Sequence, residues 1–137
     1  MAYWLLKSEP SSYSWDQLVK DKRTNWSGVR NFTAAKNLKT MQKGDHAFFY
    51  HSGEGPEIVG VVEIVKEAYP DPSDASGRFV MVDVVPIAPV KTPVSLATIK
   101  ATPALKGMPL VKLSRLSVSP VSAEEWRTIA KMAGIKA

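Results

Sequence analysis

Residues 46 to 67 read His46-Ala-Phe-Phe-Tyr-His-Ser-Gly-Glu-Gly-Pro-Glu-Ile-Val-Gly-Val-Val-Glu-Ile-Val-Lys-Glu67. Two apolar runs rich in aromatic and β-branched side chains flank Gly53-Glu-Gly-Pro56, a turn signal built from glycine freedom and a proline-fixed φ. The spacing predicts an antiparallel hairpin with strands over residues 46–52 and 58–67. Before it, Lys43-Gly44-Asp45 supplies a helix stop and a turn, and Asn31 caps a helix expected over residues 32–41. Further upstream, Ser14-Trp-Asp-Gln17 fits a capping box, with the serine oxygen accepting from an early amide and Gln17 reaching back, so residues 15–22 should be a short helix. Residues 3–9 read as a first strand ended by Pro10, which has no amide to donate.

Downstream of the hairpin, residues 70–77 form a polar loop and residues 78–85 alternate as a further strand. Pro86, Pro89 and Pro93 then punctuate the chain. A short helix is expected over residues 95–100, a turn from Thr102-Pro103 to Gly107, and a last strand over residues 110–119. Ser122-Ala-Glu-Glu125 is a second capping box, opening a terminal helix that stops near Gly134. About five strands, with helices in the early and late connections, predict an α+β fold: a curved antiparallel sheet or small β-barrel with flanking short helices.

At 137 residues and 45% hydrophobic side chains, the chain suits one domain, residues 1–137, burying roughly 68% of its unfolded surface. No stretch approaches the roughly 20 apolar residues that cross a bilayer, and Met1-Ala-Tyr-Trp-Leu-Leu-Lys7 has no basic leader or cleavage site. A soluble protein that is not exported is therefore expected, with no membrane partner. The absence of cysteine excludes disulfides, thiolate zinc sites and thiol nucleophiles, while His46 and His51 are too few for a histidine-rich metal site. Neither a metal nor a cofactor is expected.

The net charge of +5 is unevenly placed. Residues 1–43 carry eight Lys or Arg against three acids, residues 44–89 two against eight, and residues 90–137 eight against two. If the two basic segments meet in space, they form a positive surface that attracts a phosphate backbone. The alternative is ordinary solvated helix faces.

Trp26-Ser-Gly-Val-Arg-Asn31 places a large flat ring, a flexible glycine, a fixed positive charge and an amide just before a helix, groups suited to holding a planar hydrogen-bonding ligand such as a nucleobase. Phe48, Tyr50 and Ser52 alternate on one strand face and are expected to supply the opposite wall, while His51 points to the other face. The polar end of the first strand, Lys7-Ser8-Glu9, reaches the pocket mouth. Each assignment has a structural alternative. Trp26 could be core, Arg30 could tie to Glu9 or Asp45, Asn31 could only cap its helix, Tyr50 could be a half-buried sheet tyrosine, and Lys7-Ser8-Glu9 could be a solvated strand end. Ser8 or Ser52 with His51 lacks an orienting acid, and no phosphate loop or HExxH-type motif is present, so no catalytic set is expected.

Several ordered motifs carry a family resemblance: Trp-Leu-Leu-Lys-Ser-Glu-Pro at 4 to 10, Trp-Ser-Gly-Val-Arg-Asn at 26 to 31, Phe-Phe-Tyr-His-Ser at 48 to 52, Lys-Glu-Ala-Tyr-Pro-Asp at 66 to 71, Met-Val-Asp-Val at 81 to 84 and Arg-Leu-Ser-Val at 115 to 118. Together they resemble the EVE domain of the thymocyte nuclear protein family across nearly the whole chain. The resemblance implies a PUA-like fold, related to YTH and ASCH domains. It also implies a non-catalytic nucleic-acid reader that takes a flipped-out modified base, either a modified cytosine in DNA or a modified RNA base, into an aromatic pocket. The positions carried over by motif are Lys7, Ser8, Glu9, Trp26, Val29, Arg30, Asn31, Tyr50, His51 and Ser52, followed by Arg115 and Ser117. Longer members of the family carry an extra segment after the aspartate that matches Asp71, where this chain has only Pro72 to Gly77 before Arg78-Phe79. The short form suits a bacterial cytoplasmic protein.

Two other functions suit the same residues. One is an enzyme acting on modified nucleotides or nucleosides, with Glu9 or His51 as base. The other is a protein-interaction module whose aromatic cleft takes a peptide or a methylated amine, against which the Arg30 charge counts.

Overall fold

The structure, a computed structural model, describes residues 1–135. The hairpin predicted from residues 46 to 67 forms its centre. β3 (His46–His51) pairs antiparallel with β4 (Glu57–Pro70), and the register shifts between Phe49 and Tyr50, which face Gly60 and Ile58, so Val59 is a bulge residue in β4. β4 in turn pairs antiparallel with β5 (Val80–Ser95), and a two-residue strand, β2 (Thr24–Asn25), joins the outer side of β5. β1 (Tyr3–Ser8) lies on the other side of β3, and β6 (Val118–Val121) borders β1. The strand order is β2-β5-β4-β3-β1-β6.

The α+β prediction holds, and the fold is PUA-like, but the sheet is mixed and open where an antiparallel sheet or barrel was expected. β1 runs parallel to β3, from Tyr3 opposite His46 to Ser8 opposite His51. The chain between them passes through α1 (Trp15–Asp21), β2 and α2 (Phe32–Thr40), and that crossover is long enough to return it to the end where β1 began. β5 also continues through Pro86, Pro89 and Pro93. Past Val84 its outer side has lost β2, so missing proline amides are tolerated along an edge.

The strand expected over residues 110–119 is mostly absent. α4 (Pro109–Lys112) begins with a proline whose fixed φ suits a first helical position, and the amide of Leu116 turns back to the carbonyl of Leu113 before β6 starts. α3 (Leu96–Ala101), a 3-10 turn at Pro103–Leu105 and α5 (Ala123–Ala133) complete the chain. Ser14 caps α1 by accepting from the Gln17 amide, but the Gln17 side chain donates to Asp21 and does not reach back, so only half of that capping box exists. At α5 both halves form, between Ser122 and Glu125.

Helices cover both sheet faces, which gives two cores. Trp4, Leu6, Trp15, Trp26, Leu38, Phe49 and Val82 belong to the first, under α1 and α2. Leu5, Phe48, Tyr50, Ile58, Leu105, Trp126 and Ile129 belong to the second, under α3 to α5. Close packing on the first face has a specific requirement at Gly60. A Cβ there would lie 2.4 Å from the Trp15 ring, so the indole rests directly on bare backbone.

Candidate functional site

The C-terminal end of β1 and the loop after β2 enclose a cleft of about 420 Å³, lined by Lys7, Ser8, Glu9, Ser12, Tyr13, Thr24, Asn25, Trp26 and Ser27. That volume lies within the roughly 300–1,000 Å³ typical of small-molecule sites. The Trp26 amide donates to the Val82 carbonyl at 2.7 Å, fixing the loop to β5, and its ring meets Phe49 edge-on at 5.5 Å between centroids. Trp26 is 8% exposed and reaches the cleft, so it serves as core and as wall at once. Ser8 Oγ donates to the Tyr13 carbonyl, which leaves its lone pairs free to accept from a ligand edge.

The loop owes its shape to Asp71. Gly28, at φ +79, donates its amide to Asp71 Oδ2 at 2.8 Å, and Arg30 Nη1 approaches the same oxygen at 3.3 Å while Nη2 donates to Ser73 Oγ at 2.8 Å. The structural partner of Arg30 is thus Asp71, and neither Glu9 nor Asp45. Asp45 is taken up by the Trp4 indole and the amides of Ala2 and Gln42. Burial works against the Asp71 charge, but donors from Ser73, Gly28 and Arg30 outweigh it and hold the carboxyl at about 2.

A second cleft of about 370 Å³ is lined by Asn31, Thr33, Lys112, Leu113, Ser114, Arg115 and Leu116. Lys7 of the first cleft is tied to the second, since its Nζ donates to the carbonyl of Ser114 at 2.9 Å and its amide donates to the Ser117 carbonyl. Burial lowers the Lys7 pKa. Asn31 caps α2 through the Ala34 amide, and it lines this second cleft and not the one that holds Trp26.

The EVE domain family model matches residues 2–132. The chain belongs to the EVE domain family. Among proteins similar to this EVE domain, chicken (Gallus gallus) thymocyte nuclear protein 1 is 38% identical over 90% of this chain and 65% of its own length, so the chain spans about two thirds of that relative. A solved structure from Rhodopseudomonas palustris is 57% identical and superposes with a TM-score of 0.92, covering 98% of this chain and 94% of that one. The human THYN1 protein, solved in complex with 5-methylcytosine-containing DNA, is 32% identical with a TM-score of 0.90, covering 100% of both chains.

Within the EVE domain the expected residues therefore separate. Lys7, Ser8, Glu9 and Trp26 share the first cleft, and Asn31 and Arg115 share the second. Arg30 acts behind the loop. Val29 is buried in the first core, 7% exposed. The expected aromatic pair of Trp26 and Tyr50 does not form, because Tyr50 sits in the second core on the opposite sheet face, 3% exposed, with its phenol pKa raised by burial. Phe49 and His51 are the strand residues on the Trp26 side, and their rings meet edge-on at 5.6 Å. His51 is occupied there, since its Nε2 accepts from the Trp15 amide at 3.0 Å and so holds the start of α1. Ser52 contributes its amide to the Ser8 carbonyl, and Ser117 its carbonyl to Lys7.

Sequence reasoning missed Tyr13 and Asn25 in the first cleft, Lys112 in the second and Asp71 behind the Trp26 loop. Asp71 ends the Lys-Glu-Ala-Tyr-Pro-Asp motif, the one available signal. Tyr13 lay in a serine-rich turn with nothing to mark it. Among the described residues no group of three or more His, Asp or Glu side chains is arranged to hold a metal, and no helix is long and apolar enough to cross a membrane.

Proposed function

We propose that this EVE domain reads a modified base in nucleic acid, in the first instance a methylated cytosine in DNA, by taking the extruded base into the cleft between Ser8, Tyr13 and Trp26 and releasing it unaltered. The observation that carries the reading is the cleft itself: ring, hydroxyl and amide groups converge on a space of about 420 Å³ at the end of β1. The human relative bound to 5-methylcytosine DNA, similar over the full chain, supports it. The indole offers apolar surface against which a methyl group gains contact, while Ser8 and Asn25 supply polar partners for the base edge. Extruding a modified base from a helix costs a few kcal/mol, least where pairing is already weak.

Stacking supplies about 1–3 kcal/mol per base, so the cleft alone holds a free nucleoside weakly. Lys112 and Arg115, which line the second cleft, add phosphate contacts. Of the bases an enzyme would use, His51 has its Nε2 engaged by the Trp15 amide, and Glu9 is exposed at the rim of the cleft.

Fluorescence anisotropy with short oligonucleotides, identical except for 5-methylcytosine or cytosine, tests the reading. The methylated strand should bind more tightly, and Trp26→Phe, which keeps the contact with Phe49 but removes the indole, should reduce that preference severalfold. Equal binding of both strands, or turnover of the modified nucleoside, would overturn it. A modified RNA strand run in parallel decides which nucleic acid is preferred.

A further inference from the structure

Phe32 opens α2 with 70% of its surface exposed. The ring is nonetheless held in place. It stacks on Phe79 with centroids 5.4 Å apart and planes within 27°, and the Arg30 guanidinium lies 5.3 Å from the Phe79 ring centre. Arg30 is fixed in turn by Asp71 and Ser73. The result is a flat apolar surface, open to solvent, with a cation against its second ring. The neighbours of Phe32 in sequence, Asn31 and Thr33, line the cleft that holds Lys112 and Arg115, while Ser27, five residues earlier, lines the first cleft. Five residues span at most about 18 Å. With successive stacked nucleotides rising 3.4 Å along a strand, Phe32 is within reach of nucleotides close to one seated beside Trp26.

We infer that Phe32, backed by Phe79 and Arg30, is a stacking platform for a base neighbouring the one held in the cleft. The inference rests on the base-reading assignment and adds a second contact to it. An exposed phenylalanine beside a groove suits an unstacked base or a widened base step, where proteins that distort nucleic acid place apolar side chains. The charge around it favours the same occupant. Arg30 lies against Phe79 and carries the charge that balances its partner Asp71, while Lys112 and Arg115 line the cleft shared by Asn31 and Thr33, the residues on either side of Phe32. Because Phe32 is exposed, its replacement leaves the two cores untouched.

Anisotropy with a 5-methylcytosine oligonucleotide, using wild type, Phe32→Ala and Phe32→Tyr, tests the inference, together with strands in which the nucleotide on either side of the methylcytosine is abasic. Phe32→Ala should weaken binding about fivefold or more, the lower end of what one stacked base contributes. Phe32→Tyr should restore it, and an abasic neighbour on one side should abolish the difference between wild type and Phe32→Ala. Binding of 5-methyldeoxycytidine alone should be the same in all three proteins. Unchanged oligonucleotide affinity in Phe32→Ala would overturn the platform while leaving the cleft assignment standing, provided Trp26→Phe still weakens binding. If neither variant changes affinity, both fall. A shift of Phe32→Ala in self-association with no change in DNA affinity would assign the ring to protein contact and also overturn the inference.

Discussion

The Asp71 carboxylate has no side-chain exposure and accepts from the Gly28 amide, the Ser73 amide and hydroxyl, and Arg30. Replacing it leaves the Gly28 amide without a partner and frees Arg30, which is 42% exposed and can turn to water. Asp71→Ala should therefore cost about 1.5–3 kcal/mol, the range for hydrogen bonds to a charged group, and should lower oligonucleotide affinity through a loosened Trp26 loop. Denaturant unfolding and anisotropy on one preparation check both. The acid response follows from the same group. Its folded pKa of about 2 is below the unfolded value near 3.9, so its stabilising contribution is complete above about pH 4 and is lost as pH falls towards 2. Asp71→Asn should flatten that part of the acid unfolding curve. At this scale the chemistry of Ser8 and Trp26, which line one cleft, was legible because side-chain chemistry is local. It did not reveal the partner of Arg30, because a contact spanning 41 residues leaves no mark in spacing.

α1 is held against the sheet by two contacts that its own sequence does not contain. One is the Trp15 indole lying on Gly60, where a Cβ would approach ring carbons at 2.4 to 2.6 Å. Gly60→Ala should destabilise by about 1–3 kcal/mol, as overpacking does, read as a lower thermal midpoint with the sheet signature retained. The other is the hydrogen bond from the Trp15 amide to His51 Nε2, which only the neutral ring can accept. Burial lowers the His51 pKa, outweighing Glu57 and Asp16, which raise it. The unfolded chain thus binds a proton first as pH drops below about 6.5, and stability is lost as pH falls through the lower folded value. Thermal midpoints should decline as pH falls below the unfolded value of about 6.5, and His51→Gln should reduce that slope. Caps and the central hairpin were readable because their chemistry lies within a few residues. Alternation along β3 showed that Phe48 and Tyr50 share a face, but could not say which one. Both faces are buried, so no polar side marks the outside, and Tyr50 was assigned to the wrong wall.

Across the whole molecule, a mixed sheet with a core on each face places the end of β1, the loop after β2 and the segment before β6 side by side. The basic residues at that junction, Lys7, Lys112 and Arg115, come from the two positively charged thirds of the sequence, which was legible as charge asymmetry but not as a surface. The parallel pairing of β1 with β3 was not legible, since strand composition carries no direction. If Lys112 and Arg115 contact phosphates, each alanine replacement should weaken oligonucleotide binding regardless of methylation. Each should also reduce the slope of log affinity against log salt by roughly 0.7 on a single strand. The four indoles allow the central claim to be tested in one spectrum, because Trp26 lines the cleft, Trp4 donates to Asp45, Trp15 lies on Gly60 and Trp126 belongs to the opposite core. Titrating a 5-methylcytosine oligonucleotide into 15N-labelled protein and following the four indole N–H resonances should move Trp26 progressively while Trp126 stays in place. A stationary Trp26 resonance at saturating oligonucleotide would contradict the account.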